Sequence, residues 1–281
     1  MLRARRADGA PVGPADVDPH ATPGVEAGKD DGVAALAARA GRLAELQELL
    51  YAQSTRTPAS GRAPVPSLLL VVQAMDTAGK GGIMRHVVGQ MDPQGVQVAA
   101  FKAPTPDELR HDFLWRVRPH LPGPGEVAVF DRSHYEDVLI GRVRQLADAA
   151  EIERRYGAIR AFEAELAASG TQVVKVMLHI SKDEQRERLA ERLDRPDKHW
   201  KFSPGDIDER ALWDEYMEAY RVALYRTDAT DAPWFIVPAD RKWYARLAVQ
   251  ELLIETLEGL HLRWPEADFD VAEQRARLAA S

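Results

Sequence analysis

The 281-residue chain has no cysteine, which excludes disulfides and thiolate metal ligands and is the usage of a protein kept in a reducing cytoplasm. Long apolar runs are missing as well. Leu68 to Val72 is far too short to span a bilayer, and Arg3, Arg5 and Arg6 are not followed by an apolar secretory segment. A soluble, unexported protein without a membrane partner is therefore expected. Positive charge is in deficit, with a net charge of -7. Proteins that grip nucleic acid carry clustered positive surface, so no nucleic-acid partner is expected and any anion site must be local. The eight histidines show no clustered ligand spacing.

What is present is an alternation. Five short apolar runs, Ser67 to Gln73, Val96 to Phe101, Val127 to Asp131, Val173 to Ile180 and Trp234 to Pro238, are separated by segments of helical character. Runs this apolar suit strands buried on both faces, and the helices supply the crossovers that parallel strands need. The fold class that follows is α/β, a P-loop kinase-like three-layer α/β/α sandwich with a five-stranded parallel sheet and a helical lid. Leucines 36, 43, 46 and 50 recur at helical spacing and predict an amphipathic helix over 33–52, broken by 54–66. Thr105, Pro106 and Glu108 read as cap, first-turn proline and capping-box carboxylate of a helix over 109–117. Residues 1–32 mix Pro, Gly, Asp and Ala without a hydrophobic period and are expected to be a loose tail. One main domain is placed at 33–264, with a lid at about 182–206 and a peripheral tail at 265–281.

The first strand runs into Gln73-Ala74-Met75-Asp76-Thr77-Ala78-Gly79-Lys80-Gly81-Gly82, then a helical segment from Ile83. This has the register of a phosphate loop: small residues let backbone N–H groups wrap an anion, and a lysine reaches the outer phosphates. Ala74 replaces the usual first glycine, and Gly81 replaces the Ser or Thr whose hydroxyl holds magnesium. A hard cation then needs another oxygen, and Asp76 is the substitute. The third strand delivers Asp131 to a carboxyl end of the sheet in the manner of a Walker B strand, with Arg132 beside it for bidentate phosphate contact. Ser133 and His134 follow without a nucleophile elbow, so His134 is read as a helix-start residue.

Beyond the fourth strand, Arg188, Arg192 and Arg195 share one face of a helix, and Glu184, Glu187 and Glu191 share another. The basic face, with Lys198 and Lys201 just beyond it, is expected to clamp phosphate as a closing lid; a solvated, salt-bridged helix is the competing explanation. Trp200, Trp213, Trp234 and Trp243 can stack a base or fill the core, and packing is the commoner use.

These motifs resemble the polyphosphate kinase 2 family. The resemblance covers roughly 35–262 and rests on Ala74 to Gly82, Phe101 to Pro104 with Asp112 to Trp115, Phe130 to Leu139, His199 to Pro204, and Pro238 to Tyr244. The stretch Ser133 to Leu139 is similar to the subgroup that accepts nucleoside monophosphates and diphosphates, although Gly81 departs from the acidic residue expected there. The resemblance implies Asp76 and Asp131 as magnesium carboxylates, with manganese as a substitute ion. It implies Asp76, Lys80, Asp131 and Arg132 as the catalytic set. Ala78, Gly79, Lys80, Gly81, Gly82, Arg132, Arg188, Arg192, Lys198 and Lys201 would hold phosphate, and Lys102, Tyr135, Glu136 and Asp137 the nucleotide. Inorganic polyphosphate and nucleotides are the implied substrates, and a homo-oligomer, tetramer or dimer, the implied assembly. An ATP-dependent kinase of a small metabolite and a nucleotide-binding switch are the alternatives that the loop alone leaves open.

Overall fold

The computed structural model describes residues 2–4, 10–26, 28–54 and 64–281. Six strands form one sheet: β1 (Leu2–Arg3), β2 (Ser67–Ala74), β3 (Val96–Ala100), β4 (Val127–Asp131), β5 (Thr171–His179) and β6 (Trp234–Pro238). Their order is β1-β6-β5-β2-β4-β3, and every pairing from β6 to β3 is parallel, as the five apolar runs predicted. β2 is buried along its whole length because it sits at the centre, between β5 and β4. β3 departs from the expectation of burial on both faces: it is an edge strand, and Val98 is 52% exposed.

The helices are α1 (Lys29–Ala38), α2 (Ala40–Ser54), α3 (Lys80–His86), α4 (Ile140–Val143), α5 (Ala149–Ala168), α6 (Lys182–Asp194), α7 (Gly205–Ala211), α8 (Trp213–Thr227), α9 (Lys242–Glu258) and α10 (Val271–Ala279). α1, α2 and α3 pack with α9, while α4 and α5 pack with α8, giving the two helical layers. The predicted helix over 33–52 is thus two helices hinged at Arg39. α1 comes close to α9 at Gly32, where an added Cβ would lie 2.2 Å from the Trp243 ring, so only glycine fits.

Three expectations need correction. The N-terminal segment is not loose where it is described: β1 adds to β6 as an antiparallel strand, and Val12 and Val17 are buried. Two strand residues and two valines carry no periodicity, so the sequence pattern does not reveal this docking. Positions 1, 5–9 and 27 of that segment, and 55–63 of the expected break, lie outside the described residues. The capping box at Thr105 forms, with the Thr105 N–H donating to Glu108, but it starts only a 3-10 turn at Glu108–Arg110. A cap satisfies the first turn's donors and does nothing to propagate the helix. α10 buries none of its residues, in keeping with a peripheral C-terminal segment.

Candidate active site

β2 ends at Ala74 and the chain turns through Met75 to Gly79 before α3 begins at Lys80. Gly79 has φ +118°, a left-handed conformation that favours glycine, and its carbonyl accepts from Gly82 at 2.8 Å. Ala78 is buried and donates back to Met75 at 3.3 Å. The amides of Gly79, Lys80 and Gly81, in contrast, make no hydrogen bond among the described residues. Three consecutive free donors on a tight loop form an anion cradle. Of the five loop residues expected at phosphate, Ala78 and Gly82 shape the turn and the middle three present their N–H groups.

The charged side chains gather over this cradle. The Lys80 ammonium donates to the Ala74 carbonyl at 3.1 Å, folding back across the loop. Burial first, then the Arg132 charge, pushes Lys80 below the ordinary lysine pKa, against the pull of Asp76, Asp131 and Glu136. Register sets Asp131 opposite Val72 on β2, at the carboxyl end of the sheet beside the loop. Arg132 has φ +64°, unusual for a non-glycine residue, and its guanidinium pairs with Asp76 Oδ1 at 2.9 Å. Burial alone would lower the Arg132 pKa, but Glu136 and Asp76 outweigh it and raise the value. Strained backbone that aims a cation at a carboxylate belongs to functional sites more often than to plain turns. Asp76, Lys80, Asp131 and Arg132 are thus brought together as the sequence predicted.

Among the described residues no three His, Cys, Asp or Glu side chains gather as a metal cage. Two carboxylates are nevertheless a sufficient protein share for magnesium, which keeps waters and takes further oxygens from phosphates. Asp76 and Asp131 both bear electrostatically on Lys80, and the buried Thr77 hydroxyl on the same loop has no protein partner. An oxygen donor set left incomplete by the protein fits a hydrated divalent ion with phosphate.

The lid contains surprises. Arg188 is 5% exposed, and its guanidinium donates to the carbonyls of Thr77 at 3.0 Å, Ala239 at 2.8 Å and Asp240 at 2.7 Å, while Nε meets Glu184 at 2.7 Å. Expected as a phosphate ligand, it is instead a clip that fastens the phosphate loop to α6 and to the end of β6. Arg192 joins α6 to the Lys201 carbonyl at 2.8 Å and to Asp206 at 3.3 Å. Arg195 is exposed and paired with Glu191 and Asp197. Lys198 is half-buried, and exposed Lys201 lies 4.8 Å from the Trp200 ring. Trp213, Trp234 and Trp243 fill the core, whereas Trp200 is 79% exposed.

Tyr135 is also corrected. It is fully buried, and its hydroxyl sits between Glu163 at 2.7 Å, Thr227 at 2.9 Å and Lys175 at 3.1 Å. Its neighbour His134 reaches the same Glu163 at 3.3 Å, so this pair anchors the strand end from below and cannot touch a nucleotide. Ser133 caps the turn by accepting from the Tyr135 N–H at 3.1 Å. Glu136 faces the other way. With Asp76, Arg132, Glu209, Tyr216 and Tyr220 it lines a cavity of about 70 Å³ next to the loop. Asp137 lies 3.7 Å from Arg116, which in turn donates to the Lys102 backbone carbonyl at 2.8 Å, so Arg116 links the segments that carry these two nucleotide candidates. Burial raises the Asp137 pKa against the pull of Arg116 and Arg155.

Sequence reasoning missed Glu209, Tyr216, Tyr220 and Asp206. Asp206 accepts from Arg192 at 3.3 Å, and burial first, then the Asp76 charge, raises its pKa. Asp206 and Glu209 lie on the short acidic α7 and Tyr216 and Tyr220 on the buried face of α8, and neither pattern points at a site rather than at solvent or core.

The family model of polyphosphate kinase 2 matches residues 26–263. An AMP/ADP-polyphosphate phosphotransferase of Meiothermus ruber is 47% identical over 251 residues, 89% of this chain and 90% of that protein. An ADP-polyphosphate phosphotransferase of Rhodopseudomonas palustris is 46% identical, covering 80% and 78% of the two chains. The crystal structure of polyphosphate kinase 2 from Arthrobacter aurescens superimposes with a TM-score of 0.93 at 59% identity, over 99% of this chain and 95% of that one. With its loop, strand register and full-length relatives in agreement, the chain belongs to the polyphosphate kinase 2 family.

Proposed function

We propose that this enzyme transfers a phosphoryl group from inorganic polyphosphate to nucleoside monophosphates and diphosphates, AMP to ADP and ADP to ATP, reversibly. The observation that carries it is the meeting of Lys80, Arg132, Asp76 and Asp131 at the carboxyl ends of two adjacent parallel strands, over three unpaired loop amides. The relatives' names favour this donor over ATP acting on a small metabolite, and over a switch that binds without turnover.

The free amides of Gly79, Lys80 and Gly81 hold a phosphate, and the Lys80 ammonium leaves the Ala74 carbonyl to neutralise its oxygens. Arg132 spans the donor and acceptor phosphates while Asp76 fixes its guanidinium. Glu136, Lys102 and Asp137 are the side chains offered to the nucleotide. Asp76 and Asp131 hold magnesium, or manganese in its place, and the bound ion supplies charge neutralisation at the phosphoryl oxygens. The chain thus needs no covalent intermediate, and rate comes from positioning and electrostatics around a loose in-line transfer. A cytoplasmic homo-oligomer, dimer or tetramer, completes the proposal; sizing chromatography with light scattering tests the assembly.

The test of the reaction is Asp131→Asn. Turnover of ADP with polyphosphate should fall by roughly two to three orders of magnitude, the usual cost of losing a charge-stabilising group. Near-normal turnover would remove Asp131 from the mechanism.

A further inference from the structure

Lys175 stands in the middle of β5 with no exposed surface, at a position where an apolar residue is the rule. Its ammonium is fully used: it donates to Glu163 at 2.5 Å, to the Thr227 carbonyl at 2.8 Å and to the Tyr135 hydroxyl at 3.1 Å. Glu163 comes from α5, and its other oxygen accepts from the Tyr135 hydroxyl at 2.7 Å and lies 3.3 Å from His134 Nε2. Trp234 on β6 closes the group by donating to the Thr227 hydroxyl at 2.9 Å. Stability alone does not account for such a pair, because apolar residues of similar volume often serve a core as well or better.

The pair grips the turn that follows β4. Lys175 is in register with Val71 on the central strand, and so, on the other side of that strand, is Phe130 of β4. The network therefore reaches across one face of β2 to His134 and Tyr135. Arg132 is caught between two fixed pieces of chain. Its own N–H donates to the Val72 carbonyl at 3.1 Å at the strand end, while the buried Ser133 opens the anchored turn, its carbonyl accepting from Glu136 at 3.1 Å. The change of direction falls on Arg132 itself, at φ +64°. A left-handed arginine is strained and persists only where its surroundings over-determine it. Here those surroundings are the strand ladder on one side and the Lys175–Glu163 network on the other.

We propose that Lys175 and Glu163 are positioning residues for phosphoryl transfer: through Tyr135 and His134 they fix the turn after β4, and so hold Arg132 in the conformation that sets its guanidinium 2.9 Å from Asp76 beside the phosphate loop. This rests on the part given to Arg132 above. Once the turn is released, Arg132 relaxes to negative φ and its guanidinium swings away from Asp76 and the phosphates. Lys175 and Glu163 touch no substrate, and their effect reaches the reaction only through Arg132.

The test uses the full-length enzyme with Lys175→Met/Glu163→Leu, which removes both charges together, in the parent and in an Arg132→Ala background. Long-chain polyphosphate is the donor and ADP the acceptor, at a temperature where circular dichroism shows each protein folded. In the parent background kcat should fall by roughly tenfold to a hundredfold, the order of loss that a misplacement of about 1 Å brings, with KM for ADP changed by less than about twofold. In the Arg132→Ala background the same replacement should change kcat by less than about twofold, because the residue it acts through is gone. Equal losses in both backgrounds, or an undiminished kcat in the parent one, would overturn the proposal. Should the double variant not fold, Tyr135→Phe, which keeps the charged pair and cuts one link to the turn, enters the same cycle with an expected loss in kcat of about three- to tenfold, the worth of one hydrogen bond. A crystal structure of the folded variant supplies a reading independent of activity: residue 132 should leave positive φ and its contact with Asp76 should open, and retention of both would refute the positioning. Arg132→Ala turning over like the parent would remove Arg132 from the transfer and the proposal with it, whereas equal losses from a low Arg132→Ala baseline overturn the positioning alone.

Discussion

Replacing Arg188 with alanine distinguishes a clip from a ligand. The side chain is 5% exposed and its guanidinium donates to three backbone carbonyls and to Glu184, all within 3.0 Å. Each hydrogen bond from a charged donor contributes about 1.5–3 kcal/mol, and simple addition would exceed the stability of many whole domains. Water can enter the space vacated by so long a side chain and satisfy part of the carbonyls. The net cost is therefore set near that of breaking a buried ionic contact, about 3–5 kcal/mol. Urea unfolding followed by circular dichroism should show a much lower midpoint with an unchanged slope. Arg188→Lys should recover little, because one ammonium cannot serve carbonyls on two segments at once. Substrate kinetics at low temperature, where the variant is folded, should show kcat reduced through a displaced loop. An unchanged unfolding midpoint combined with a raised KM for polyphosphate alone would refute the clip and make Arg188 a phosphate ligand.

Tyr135→Phe should cost about 1–3 kcal/mol by leaving Glu163 and Lys175 short of a partner, with KM for the nucleotide unchanged; thermal melting and KM for AMP check the two halves. Gly32→Ala should destabilise by about 1–3 kcal/mol because its methyl group collides with Trp243, read as a fall in melting temperature. Lys80 titrates below lysine's ordinary value of about 10.5, so activity should decline on the alkaline side before that pH. In that window the unfolded chain binds the extra proton, so stability rises with pH as the folded lysine deprotonates while activity falls. Lys80→Arg should abolish the alkaline decline of whatever activity it retains, as followed by a pH–rate profile.

The sheet was legible because β2, β4, β5 and β6 are short but continuously apolar runs, a signal that survives without any tertiary information. β1 was not: its two residues gain their place only by pairing with β6. The meeting of Asp76, Lys80, Asp131 and Arg132 was legible because loop chemistry and strand ends leave local marks. Arg188 and Tyr135 were misassigned for one reason. A pattern on a helix or turn tells which residues share a face, but not whether that face meets solvent or the underside of the site.

The account is tested most directly by incubating the purified enzyme with AMP, polyphosphate and magnesium, without ATP, beside a Lys80→Ala control. The prediction is that ADP appears first and ATP follows, both dependent on Lys80. Failure to form either product, with ADP also inert as acceptor, would contradict polyphosphate as the donor.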